Sequence, residues 1–178
     1  MMKDWSIVEV LKHSRHDWLN KIQLIKGNLA LSKYDRVKEI IDEIVIETQN
    51  EARLTNLQLE TLAAFLMTYN WETHKFPIEF EVIGDARDLS SYDVSMTAWC
   101  EQFFQLIEGC TEVNGENQLL ITIELFEEEV RFLFDFSGII NNIEVITDSL
   151  EKTKELDQIQ LMEYEVHPHE LLVTIALI

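Results

Sequence analysis

Residues 6–31 read SIVEVLKHSRHDWLNKIQLIKGNLAL. Val8, Leu11, Trp18, Ile22, Ile25 and Leu29 follow one another at helical spacings of three and four, with Arg15 the polar intruder in the series. That period winds the apolar side chains into one stripe of a long amphipathic helix, with the seam of a helical bundle. Ser32-Lys33-Tyr34-Asp35 then interrupts the period and contains helix-capping residue types. Beyond it, Val37, Ile40, Ile41, Ile44, Val45, Thr48 and Ala52 form a second, wider apolar face. The first part of the chain is therefore expected to be a helical hairpin. Two helices cannot enclose stripes this broad, whereas two hairpins paired into a four-helix bundle bury both, so a homodimer is expected.

Outward from this hairpin the period changes. A further apolar helix is expected from about Leu57 to Thr73. After Pro77, Ile78, Phe80 and Val82 alternate with Glu79 and Glu81, the pattern of a half-buried strand ending at Gly84. Asp88 to Asp93 offer caps for a helix reaching about Glu112, with Met96, Trp99, Phe103 and Ile107 on one side, and Asn114-Gly115 breaks it. Leu119, Ile121, Ile123 and Leu125, then Phe132, Phe134 and Phe136, form a hairpin around the charged turn Glu127–Glu129. A weaker helix near Asn142 to Glu155 precedes strands at about Ile159–Val166 and Leu171–Leu177, turned around His167-Pro168-His169. The fold class is thus α+β. Residues 1–56 form the helical hairpin of a dimeric four-helix bundle, and residues 57–178 an α/β sandwich with helices on one face of a mostly antiparallel sheet.

The bulk composition, 47% hydrophobic and 26% charged, is that of a globular chain. Fourteen Lys and Arg against 33 Asp and Glu give a net charge of -19. Such a surface repels nucleic-acid backbones and anionic membranes. No apolar run approaches the ~18 to 20 residues that span a bilayer, and the opening Met-Met-Lys-Asp-Trp lacks a signal-peptide pattern, so a cytoplasmic location is expected. Cys100 and Cys110 lie on one expected helix, roughly 15 Å apart, too far for a disulfide, and read as reduced core thiols.

At about 100° per residue, His16 lies roughly 135° from the centre of the apolar seam and should face solvent. Asn20, Gln23 and Gly27 follow at +4, +7 and +11 on the same stripe. A solvated helix face ordinarily favours Lys and Glu, so two amides and a glycine mark a flat, hydrogen-bonding landing strip. An imidazole is nucleophilic near neutral pH and can carry a group covalently before passing it on. Phosphoryl transfer needs chiefly in-line positioning and charge stabilisation, which an exposed His on a rigid bundle can offer when the partner brings the metal and acceptor carboxylate. Lys12, one turn back, can attract phosphate oxygens, and Asp17 can favour the charged imidazole.

The string His13 to Gly27, HSRHDWLNKIQLIKG, closely resembles the phosphoacceptor helix of the sporulation initiation phosphotransferases, from the phosphorelay of endospore-forming bacteria. It resembles less completely the Arg-His-Asp-x-x-Asn motif of citrate- and fumarate-sensing histidine kinases. The likeness covers nearly the whole chain, including Ser32-Lys33-Tyr34-Asp35-Arg36 and Asn70-Trp71-Glu72-Thr73-His74, and is weaker in the second half. It implies a dimer of paired hairpins with His16 as the phosphorylated residue. Lys12, Arg15 and Asp17 would form the phosphoryl environment, and His13, Asn20, Gln23, Leu24 and Gly27 the partner-binding face. The partners implied are receiver domains of response regulators, one as donor and one as acceptor, with Mg2+ coming from the regulator and no cofactor bound by this chain. The second half would resemble the ATP-binding fold of histidine kinases in degenerate form. Where kinases carry paired Asn residues this chain has Gln105-Leu106-Ile107-Glu108-Gly109-Cys110, and where they carry an Asp-x-Gly-x-Gly loop it has Asp135-Phe136-Ser137-Gly138-Ile139. A phosphate-cradling loop depends on glycines that bring backbone amides close to the nucleotide, so ATP binding is not expected.

Other candidates reduce to structural roles. His13, His16 and Asp17 have no further ligand at metal spacing, and no metal site is expected. His74 should cap or pack at a helix end, His167 and His169 should be exposed at their turn, and Arg15 should pair with Glu43 or Glu47. Two rival functions stand beside phosphotransfer: an ATP-using sensor histidine kinase, and a non-catalytic dimeric adaptor for response regulators. The adaptor would use the same landing strip but gives no reason for His at position 16.

Overall fold

The computed structural model describes residues 5–113, 116–153 and 156–178; the expected break at Asn114-Gly115 lies outside them. Packing divides the chain between Ala52 and Arg53 into two compact units.

In the first unit, helix α1 (Ile7–Ala30) starts at a capping box, in which Ser6 and Glu9 each bond the other's backbone N–H through their side chains. It ends where Leu31 donates to Gly27 O, Lys33 donates to Asn28 O, and Ser32 takes a left-handed φ of 56°. Helix α2 (Tyr34–Thr55) follows at once, as the hairpin reading requires. Val37 and Ile40 are buried, and Lys21 bridges to Glu47 across the pair.

The half-buried positions of α1 include Val10, Ser14, Asp17, Lys21, Ile25 and Asn28, again at three-four spacing, and they form a narrow, partly polar stripe. The expected apolar seam, apart from Ile25 where the two stripes meet, lies on a different side. Val8, Leu11, Trp18, Ile22 and Leu29 remain exposed, as do Ile41 and Val45 of α2. Arg15 stands on that open seam. Its expected pairing with Glu43 or Glu47 is replaced, because Arg36 holds Glu43 and Lys21 holds Glu47 from positions that face them more directly.

The second unit orders its elements as α3 (Glu60–Tyr69), β1 (Ile78–Gly84), α4 (Asp93–Cys110), β2 (Gln118–Leu125), β3 (Val130–Ser137), α5 (Ile143–Thr153), β4 (Ile159–His167) and β5 (Glu170–Leu177). The sheet runs β1-β2-β3-β5-β4, parallel only between β1 and β2. Period-two alternation sends Leu119, Ile121, Ile123, Phe132, Phe134, Phe136, Leu171, Val173 and Ile175 into the core. There Trp99 and Phe103 of α4 stack on each other and meet Phe134.

The helix expected over 57–73 is shorter than its apolar pattern. Gln58 adopts a φ of 60°, which separates α2 from α3. At the other end, Asn70 uses its side chain to bond both Ile78 N and Ile78 O, turning the chain into β1. Asp93, expected to cap its own helix, instead accepts from Thr61 N and Leu62 N and caps α3, whose own cap position, Leu59, has no side-chain acceptor. Asp93→Ala should therefore destabilise the second unit by about 1 to 2 kcal/mol through loss of this distant cap. Chemical denaturation checks this, and Asp88→Ala, which removes only local bonds to the Ser90 side chain and N–H, should cost less.

Candidate functional site

His16 projects from the middle of α1 with 71% of its side chain exposed. Its Nδ1 lies 3.2 Å from the side-chain amide of Asn20 and 3.5 Å from Asp17 Oδ1. The neighbours serve different tautomers. With the proton on Nδ1, the ring donates to the Asp17 carboxylate and Nε2 keeps its lone pair. With the proton on Nε2, Nδ1 accepts from the Asn20 amide. Asp17 can only accept, so as a carboxylate it favours the first arrangement, in which the outward nitrogen is the nucleophilic one.

Asn20, Gln23 and Gly27 are all exposed, as are Lys12 on the preceding turn and Leu24 beside the stripe. A Cβ added at Gly27 would meet nothing within 4 Å, so this glycine leaves the surface low instead of accommodating a tight contact. Leu19, 51% exposed, flanks the stripe on the side opposite Leu24. The sequence alone does not mark it, because an isolated Leu one step outside a polar stripe carries no periodic signal. His13 is set apart: its ring is half-buried, edge-on to Trp5 with centroids 4.9 Å apart. Arg15 is exposed on the neighbouring seam and not on the His16 stripe. Among the described residues no group of three His, Cys, Asp or Glu side chains could hold a metal ion.

A second polar constellation lies in the second unit, at the C-terminal end of α4. Tyr69 stacks on His74, centroids 3.8 Å apart, and both reach Glu108 Oε1, His74 Nδ1 at 2.7 Å and the Tyr69 hydroxyl at 3.3 Å. Burial and the Glu108 charge push the Tyr69 pKa up, since both disfavour a phenolate. Lys75 Nζ donates to Glu108 O and Thr111 O, closing the helix end. His74 thus packs at a helix end.

The chain that follows β3 is closed in the same manner. Gly138 N donates to His169 O, Ile139 N to Asn117 Oδ1, and Ile140 N to Pro168 O. A Cβ at Gly138 would stand 2.4 Å from Asn117 Oδ1 and 2.6 Å from the Phe136 ring, so the glycine serves internal packing. Asp135 is exposed on the sheet face that carries no helix. The role of Asn117 is not legible in the sequence, because a single Asn in a turn gives no sign of the three segments it joins.

A family model described as sporulation initiation phospho-transferase B, C-terminal, matches residues 58–178, and a sensor kinase SpoOB-type alpha-helical domain matches residues 2–57. The curated sporulation initiation phosphotransferase B of Bacillus subtilis is 37% identical over 173 residues, covering 96% of this chain and 89% of that protein. The chain belongs to the sporulation initiation phosphotransferase B family. That membership supports a transferase role in a phosphorelay. Solved structures similar to the chain are histidine kinases. The catalytic domain of ThkA aligns at 14% identity and a TM-score of 0.47, covering 70% of this chain and 91% of its own. The blue-light activated kinase EL346 of Erythrobacter litoralis aligns at 8% and 0.46, covering 99% and 61%.

In a member of this family the low spot at Gly27 can be probed without harming the fold. Gly27→Ala should raise helix stability by about 0.5 to 1 kcal/mol, the ordinary gain for replacing glycine inside a helix, and thermal denaturation by circular dichroism reads it.

Proposed function

We propose that the protein relays a phosphoryl group from the aspartate of one response regulator to the aspartate of another through phosphohistidine at His16. The observation that carries this reading is the pose of His16: exposed, mid-helix, with Nδ1 turned to Asp17 and Asn20 so that Nε2 faces outward. The Nε2 lone pair attacks phosphorus, the bond to the donor aspartate oxygen breaks and that carboxylate is restored. In the second half-reaction the acceptor carboxylate attacks and Nε2 leaves. Lys12 lies one turn away to offset charge on the phosphoryl oxygens, and Asp17 offsets the charge that grows on the imidazole. Asn20, Gln23, Leu24 and Gly27 seat the receiver domain for in-line approach. Mg2+ belongs to the regulator's acidic pocket in this scheme.

His16→Ala should abolish labelling from a phosphorylated regulator while leaving fold and docking intact, since an exposed side chain contributes little to stability. Gly27→Arg should keep the nucleophile but weaken binding. Labelled phosphate and a binding assay on both variants separate the outcomes; transfer through His16→Ala would place the nucleophile elsewhere, with His13 next in line.

The open seam supports a homodimer whose hairpins pair into a four-helix bundle, because Trp18, Ile22, Ile41 and Val45 are each about half exposed on a single hairpin. Ile22→Glu or Val45→Glu should give monomers in analytical ultracentrifugation, as an unpaired charge buried in the bundle costs on the order of 3 to 5 kcal/mol. A folded wild-type monomer at micromolar concentration would contradict the bundle.

Use of ATP by this chain is disfavoured by the closed loop, whose backbone amides at 138–140 already donate within the fold. Calorimetry with ATP and Mg2+ should show no binding, and His16 labelling from ATP would move the reading to a sensor kinase.

A further inference from the structure

The sheet face of the second unit that carries no helix is only partly polar. Across the strands in the order β1-β2-β3-β5-β4, one row reads Glu79, Leu120, Asp135, Leu172, Glu165, and the next reads Glu81, Thr122, Leu133, Thr174, Glu163. The open face of an antiparallel sheet ordinarily turns polar residues to water, as Thr122 and Thr174 do here. Leu120, Leu133 and Leu172 depart from that pattern on the three central strands, each part-exposed. Ile83 at the end of β1 and Phe126 just past β2, with the Arg131 guanidinium over its ring, are 47% and 46% exposed. The two rows hold five carboxylates and no Lys or Arg. Arg131, one row further, is engaged by Glu129 through Nε and Nη2.

Charge decides which occupant suits this face. A second copy of the same face would set like charges against each other, and an acidic receiver domain or an anionic membrane would meet the same repulsion. We propose that the open sheet face docks a basic amphipathic helix of a partner protein, its apolar stripe on Leu120, Leu133 and Leu172 and its flanking cations on the outer strands. Glu79 and Glu81 on β1 stand four strand spacings from Glu163 and Glu165 on β4, about 19 Å at ~4.8 Å each. A helix about 10 Å across lying along the strands covers the central three, and lysines on its two sides extend over the remaining width to both glutamate pairs. Asp135 lies between Leu120 and Leu172, where an apolar lid alone would strip it of water. The docking helix therefore carries one Arg inside its apolar stripe, whose planar fork can pair with that carboxylate. This site is independent of transfer at His16.

The test is calorimetric titration of the full chain with a synthetic helix of leucines on one stripe, one Arg within it and lysines on both flanks. About 17 residues match the length of an eight-residue strand, at 1.5 Å and ~3.3 Å per residue. Salt of about 0.15 M screens attraction beyond roughly 8 Å. Leu120→Thr/Leu133→Thr/Leu172→Thr should weaken binding about tenfold or more, and Leu133→Thr alone should weaken it less. Asp135→Asn should weaken the arginine peptide more than the same peptide with Leu in place of Arg. Glu79→Gln/Glu81→Gln and Glu163→Gln/Glu165→Gln should each weaken it more than Glu144→Gln/Asp148→Asn, which removes the same charge from α5 on the other side of the sheet. Full affinity in both leucine variants, or an equal loss in the α5 control, would overturn the site and leave only general attraction to an acidic surface. Wild-type assembly beyond a dimer that Leu133→Thr reverses would also overturn it, assigning the face to a second copy.

Discussion

Helix α1 has one covalently attached neighbour, and that limits what the hairpin can bury. An α-helix some 10 Å across meets a single partner along one stripe of about a third of its circumference. Here that stripe is the partly polar one, with Ser14, Asp17 and Lys21 half-buried beside Val10, Ile25 and Asn28. The more apolar seam of Val8, Leu11, Trp18, Ile22 and Leu29 stays open, and the polar stripe of His16, Asn20, Gln23 and Gly27 lies on the remaining side. Each of the three sides has its own chemistry. Intrachain packing, pairing with a second hairpin and docking of a partner can therefore occupy one helix without competing for the same residues.

The same division suits the proposed nucleophile, which stands at the middle of this helix and not on a loop. Backbone hydrogen bonding on both sides of position 16 fixes the Cα–Cβ direction, and Asp17 and Asn20 then restrict the ring. Phosphoryl transfer, the proposed reaction, asks for alignment more than for covalent chemistry, and a rigid mount with an open approach suits it. A flat approach also accounts for a glycine at position 27, where helix propensity alone would disfavour it.

In the second unit the backbone amides that follow β3 are taken up within the fold. Asn117 ties Lys75, Glu112 and Ile139 together, and the chain after β3 is bonded to the β4–β5 turn through His169 and Pro168. At the end of α4, Glu108 is engaged by His74 and Tyr69. These bonds make a packed corner. What the unit keeps on its surface is charge.

The sequence by itself determined the element types and most of their order, because periodicities of 3.6 and two residues are local properties that burial on one side imposes directly. It also determined that His16 faces outward, since that follows from angle alone. Tertiary structure decided everything that joins distant segments. It assigned Asp93 to cap α3, set the start of α3 after Gln58 and its end at Asn70, gave Glu43 and Glu47 to Arg36 and Lys21 in place of Arg15, and closed the loop at Gly138 through Asn117. A side chain with several possible hydrogen-bond partners takes the one that packing brings near, and no local pattern encodes which segment that will be.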